Sequence, residues 1–256
     1  MDTQRAEELD EAQASTEPQG IRAVASHRSS MADQREMIGI SRAAVHELRT
    51  PLTAIHGYAQ LLRRGLSDPA VAQRALDVIL RETTRMSGLL GDLSEVAELD
   101  SASFYSDPVE ADLIAVARAA ADQARGLDGR HDLRVVDGSA LVARLDPRRV
   151  AQILAHLLSN ALGYTPEGGQ VTIQVKRGPD GVHIAVSDTG MGTNSQEAER
   201  IYDRYYRGRD AERSSARGLG LGLYIVREIV RRSGGRVWHE PGEGGGTTFH
   251  VTLPEL

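Results

Sequence analysis

The chain contains no cysteine. That excludes a disulfide framework, a Cys-ligated zinc and a thiol nucleophile. Lysine is almost as scarce: of the 30 basic residues only Lys176 is a lysine, and no glycine-rich loop precedes it. The GxxxxGK[ST] phosphate loop is therefore missing, as are the H-R-D and D-F-G strings of protein kinases. If the chain handles a nucleoside triphosphate, it does so by another route. No apolar run approaches the ~20 residues that a membrane span requires. The first residues, MDTQRAEELDEAQASTEPQG, are acidic where a signal peptide is basic and then apolar. The expected location is the cytoplasm. Nor is there a domain-wide basic field for nucleic acid, since the net charge is −6 and the first 20 residues carry six acids against Arg5.

What is present fits two modest domains, at roughly 100–150 residues each, within 256 residues. Hydrophobic residues at 40% and charged residues at 26% are ordinary globular usage. Residues 1–35 read as a flexible acidic tail, polar and without sustained periodicity. In the next segment, 36–101, Ser41, Val45, Leu48, Leu52, Ile55, Ala59 and Leu62 recur at steps of four and three, the seam of a helix. Gly65, Asp68 and Pro69 interrupt it, and Leu76, Ile79, Thr83, Met86, Leu90, Leu93 and Ala97 form a second seam. Two such helices make an antiparallel hairpin that cannot bury its seam alone, so a homodimeric four-helix bundle is expected.

From 102 to 256 the pattern changes. Asp107-Pro108 and Asp146-Pro147 predict capped helices over about 109–125 and 148–163, and a late helix is predicted over Leu219–Arg232. Alternating or β-rich runs at 133–136, 141–145, 171–176, 182–187, 236–239 and 248–253 predict strands. The fold class is multidomain, α followed by α+β, with two or three helices laid on one mixed sheet.

Several residues carry chemistry. His46, in VHELRTPLTA, lies off the seam, with Thr50 one turn further along the same face. Imidazole is a nucleophile near neutral pH, and a carboxylate at one ring nitrogen decides which nitrogen keeps the lone pair. Glu47 can supply that carboxylate only if its side chain bends back. Pro51 removes a backbone bond and loosens the turn. In the helix opened by Asp146, Gln152, His156 and Asn160 line a polar face, and an amide oxygen there suits Mg²⁺, a hard cation. Asp188 ends an apolar strand before Gly190 and Gly192, where a carboxylate can accept from the amino group of a base. Gly218, Gly220 and Gly222 precede an amphipathic helix whose exposed amides suit phosphate.

The string His46-Glu47-Leu48-Arg49-Thr50-Pro51-Leu52 resembles the H-box of bacterial sensor histidine kinases. QILAHLLSNALGYTP is similar to the N-box of their GHKL-type ATPase domain, with His156 in place of a more usual Asn and Gly163 in place of Lys. SDTGMG, RGLGLGLYIV and GEGGGTTFHVTL resemble the G1, G2 and G3 boxes, and IYDRYYRG the F-box with tyrosines for phenylalanines. The resemblance implies a helical hairpin forming a dimeric four-helix bundle, followed by a GHKL-type α/β sandwich. It implies that ATP bound with Mg²⁺ phosphorylates His46, that the group passes to an aspartate of a response regulator, and that Thr50 serves a phosphatase activity on that regulator. Asn160 would hold magnesium and Tyr164 would pack near the nucleotide, with His156 alongside. Asp188, with Gly190 and Gly192, would bind the adenine amino group, and Thr248 would assist near the base. Gly218, Gly220, Leu221, Gly222 and Leu223 would flank the phosphates, and Arg207 would approach the γ-phosphate. The stretch 193–217, rich in Glu, Arg, Asp and Ser, fits a lid over the nucleotide. The substitutions at His156 and Gly163 leave a second reading open, a weakly active dimeric scaffold that binds nucleotide and a regulator. A GHKL chaperone or topoisomerase-type ATPase has no role for the H-box hairpin. With so few residues before the hairpin, input is expected from a separate sensory protein, or from further parts of a longer sensor.

Overall fold

A computed structural model describes residues 44–65, 68–101, 104–136, 138–194, 196–208, 218–242 and 245–255. The tail 1–35, the first seam residue Ser41 and the lid residues 209–217 lie outside the described residues. Two compact units are present, Met1–His46 and Glu47–Leu256. Of the first, residues 44–46 are described and are helical.

The second unit begins with the hairpin: α1 over 47–63 and α2 over Pro69–Asp100. Asp68 starts α2 as the sequence predicts, its carboxylate accepting from the Ala70 amide at 2.8 Å with Pro69 at the first helical position. Leu89, Val96 and Leu99 are buried within the chain, but seam residues Leu52, Leu76 and Leu90 remain 55%, 45% and 51% exposed. One hairpin leaves an apolar stripe uncovered.

After the hairpin come β1 (Val109–Asp112), α3 (Leu113–Asp128), β2 (Asp132–Val135) and β3 (Val142–Leu145). Then follow α4 (Pro147–Tyr164), β4 (Gln170–Gly178), β5 (Gly181–Asp188), α5 (Gly222–Arg232), β6 (Arg236–Pro241) and β7 (Thr247–Leu253). A sheet of order β2-β4-β5-β7-β6, with β2 parallel to β4 and the other pairs antiparallel, carries α3, α4 and α5 on one face. The alternation along β7, with Thr247, Phe249, Val251 and Leu253 buried, turns one edge of each strand to those helices. Leu113, Ile153, Leu154, Leu157, Ile184, Ile225 and Ile229 fill the space between, at 0–1% exposure. β1 and β3 form a separate antiparallel pair.

Two predicted boundaries are corrected. The helix expected from residue 109 starts at Leu113, because Val109–Asp112 pairs with β3 and Asp112, not Asp107, caps the helix by accepting from the Ile114 amide at 3.0 Å. The Asp107 amide instead donates to the Asp146 carboxylate at 2.9 Å. The late helix starts at Gly222 rather than Leu219, since Gly220 takes φ +69° before the first helical turn.

Candidate functional site

A cavity of about 380 Å³ opens between α4, the loop after β5 and the start of α5. Of the predicted site residues, His156, Asn160, Tyr164, Asp188, Gly192, Arg207, Gly218, Gly220, Leu221, Gly222 and Leu223 line it. They are brought together by three local devices. Asp146 caps α4 by accepting from the Arg148 and Arg149 amides, which aligns the helix so that its 156, 160 and 164 positions face the cavity. Asp188 ends β5 at 6% exposure, and its Oδ1 accepts from the amides of Gly190 at 2.8 Å and Thr247 at 3.2 Å. Burial pushes this carboxyl above the usual carboxylate range, and the two amide bonds offset part of that rise. A Cβ at Gly246 would come within 1.9 Å of the Asp188 carbonyl oxygen, so only glycine lets β7 approach this turn. The third device is the Tyr205–Gly220 contact, where the Tyr205 amide donates to the Gly220 carbonyl at 3.0 Å and holds the glycine segment against residues 204–206.

Two predicted residues stand off the cavity wall. Gly190 acts from behind it, where a Cβ would meet the Tyr164 carbonyl oxygen at 2.5 Å. Thr248 faces away from the cavity, its hydroxyl pairing with Ser187 at 3.0 Å across the sheet, while Thr247 and Phe249 line the cavity. The period of two along a strand forbids neighbours from sharing a face, and the β5–β7 register that sets Thr248 opposite Ser187 turns Thr247 inward.

The hairpin reaches this site from the other side. His46 is exposed on its helix, as is Thr50. The Glu47 carboxylate accepts from Arg85 Nη2 at 2.8 Å and stands 4.0 Å from Nη1 of Arg207, the arginine on the cavity wall. Asp92 of α2 lines the cavity. Neither Asp92 nor Arg85 is marked by any motif; both sit on α2 among residues that read from sequence as its solvated side. Tyr164 is held above the ordinary phenol range by burial, with Arg207 acting against the rise. Among the described residues no group of three His, Asp or Glu side chains could hold a metal ion. The Asn160 carboxamide on the wall still fits Mg²⁺, which keeps most of its shell as water and ligand oxygens and needs few protein donors.

A family model described as "Histidine kinase-, DNA gyrase B-, and HSP90-like ATPase" matches residues 145–256, and one described as "His Kinase A (phospho-acceptor) domain" matches residues 39–102. The chain is 35% identical over 214 residues to the sensor histidine kinase WalK of Bacillus subtilis (strain 168), covering 82% of this chain and 35% of that one. It is similar to the structure of full-length ShkA in complex with AMPPNP, at 25% identity and TM-score 0.62, over 85% of this chain and 45% of that one. A third similarity is to histidine kinase ThkA in complex with the response regulator protein TrrA, at TM-score 0.65 and 22% identity, over 95% of this chain and 68% of that one, and it bears on the fold alone. The chain spans about a third of the length of WalK.

Proposed function

Because this chain belongs to the sensor histidine kinases of two-component systems, we propose that it transfers the γ-phosphoryl group of ATP to His46, and from there to an aspartate of a response regulator. We divide it accordingly into a tail (1–35), a dimerising hairpin that carries the acceptor (36–101) and an ATP-binding domain (102–256). The observation that supports this reading most is the convergence of the N-box, G1 and G2 residues on one cavity whose wall also holds Arg207, 4.0 Å from the acid that follows His46 in sequence.

Each side chain has a task that its position allows. Asp188 accepts from the adenine amino group, its Oδ1 being already fixed by two amides. Tyr164 packs beside the nucleotide, and the Gly218–Leu223 segment presents amides to the phosphates at the start of α5. Asn160 would hold Mg²⁺, which would neutralise phosphate charge. Arg207 approaches the γ-phosphoryl oxygens, where positioning and charge supply most of the acceleration. A His46 ring nitrogen forms the bond to phosphorus as the bond to the ADP oxygen breaks. The dimer partner and the regulator belong to the same proposal.

Incubation with γ-labelled ATP tests it. The wild-type chain is expected to take up acid-labile, base-stable label, and His46→Ala to lose it while still binding ATP. Labelling of that variant at the wild-type level would overturn the assignment and turn attention to His56. A wild-type chain that binds ATP without labelling would be the scaffold instead.

A further inference from the structure

His156 occupies a position where the resemblance would more often put an asparagine, and its surroundings give it a task of its own. Its Nε2 is 2.8 Å from the Glu95 carboxylate of α2. Its other edge abuts α5, since a Cβ at Gly222 would stand 3.4 Å from Nδ1. The ring is thus wedged between the hairpin and the glycine segment rather than offered to a cation.

Glu95 does not line the cavity, but Asp92, on the preceding turn of α2, does. Burial pushes the Asp92 carboxyl upward; His156 draws it down and Glu95 raises it further. The end of α2 is held at the same place by Arg149 on Glu98 at 2.6 Å, by Arg204 on Asp100 and by Arg232 on the Leu99 carbonyl. Val96 and Leu99 are buried beneath these bonds. While α2 is docked, the Asp92 carboxylate therefore stands at the wall that a nucleotide's phosphates must approach, with Glu95 one turn behind it, and like charges in a confined site repel.

We infer that His156 is a positioning residue that, through Glu95, links docking of the hairpin to occupancy of the nucleotide cavity, the docked hairpin opposing an anionic nucleotide. The inference rests on the nucleotide reading above. Undocking withdraws Asp92 and Glu95 together, so nucleotide binds the undocked arrangement more tightly and shifts the population toward it by that difference in affinity. His156 is the member of the contact that belongs to the cavity. It makes the hairpin's position felt there, and an asparagine, with its shorter side chain, would not span to Glu95.

A double-mutant cycle on the full chain tests the linkage. Wild type, Glu95→Gln, His156→Asn and the double variant are titrated calorimetrically with AMPPNP and Mg²⁺, and separately with ADP in EDTA. Removing the Glu95 charge is expected to tighten both nucleotides by roughly fivefold to tenfold, the usual range of coupling between sites. The shift should survive in EDTA, because no metal takes part, and should vanish in the His156→Asn background, because the partner is already gone. An unchanged affinity in Glu95→Gln, or a shift of equal size in both backgrounds, would overturn the linkage while leaving the nucleotide site standing. Nucleotide binding by none of the four proteins would overturn the nucleotide reading and the linkage with it.

Discussion

At the scale of single residues, the site holds side chains in states that cost stability. Asp188 is the clearest. Its raised carboxyl pKa means that the folded protein resists ionising it: the contribution is most favourable below the unfolded value of about 3.9 and declines as pH rises through the folded value. Above the folded value the buried charge costs stability, a cost that the proposed contact with the adenine amino group would account for. Asp188→Asn keeps an oxygen for the Gly190 and Thr247 amides but turns an N–H donor toward the amino group of the base. The variant should melt at a higher temperature than the wild type and should lose its preference for ATP over GTP; calorimetry and competition binding read the two. On the proposed function, Glu47 and Thr50 should separate two activities on one turn. Thr50 has a hydroxyl that can place a water but cannot act as base, whereas Glu47 carries the carboxylate, already tethered by Arg85. Thr50→Ala should keep autophosphorylation and lose regulator phosphatase activity, and Glu47→Ala should lose autophosphorylation first, each on the order of 10²-fold. Equal loss of both rates in both variants would reduce the pair to holding the helix turn.

At the scale of elements, α4 depends on one carboxylate. Asp146 is buried, which alone would raise its pKa, yet the amides of Asp107, Arg148 and Arg149 hold it below the ordinary range. Its contribution is present above about pH 3.9, the unfolded value, and is lost as pH falls through the folded one. Asp146→Ala removes the N-cap of the helix that carries Asn160 and Tyr164, and it also frees the Asp107 amide that anchors the connection from the hairpin. A loss of about 1–2 kcal/mol is expected from chemical denaturation, at the upper end for a cap because the group is buried. Loss of nucleotide affinity should accompany it. The same carboxylate explains why the Asp-Pro pattern is read correctly at 146 and wrongly at 107. Both aspartates precede a proline, but only one faces the amides of a helix start.

At the scale of the whole molecule, the hairpin's uncovered stripe is the governing fact. Leu52, Leu76 and Leu90 present apolar surface that a second hairpin of the same kind would cover. The chain should be dimeric, and Leu76→Glu, which adds a charge to a side chain already half exposed in the single chain, should leave the fold intact and shift sedimentation toward the monomer. A dimer that survives the substitution would place the contact elsewhere.

Much of this was legible in the residues themselves. The helical seams, the break at Pro69, the cap at Asp146 and the alternation of β4, β5 and β7 follow from local spacing, because turn chemistry and a period of 3.6 or 2 act within a few residues. The boxes also name most of the cavity wall, since close backbone approach demands glycine and phosphate demands helix-start amides, and these demands are written in short strings. Tertiary structure decided what depends on pairing between distant segments. The register of β7 against β5 chose Thr247 over its identical neighbour Thr248. Pairing of β1 with β3 took four residues from the expected start of α3. Docking of α2 brought Asp92 to the cavity wall and Glu95 to His156. None of these carries a local signature, because the partner lies tens of residues away and only the folded chain brings the two together.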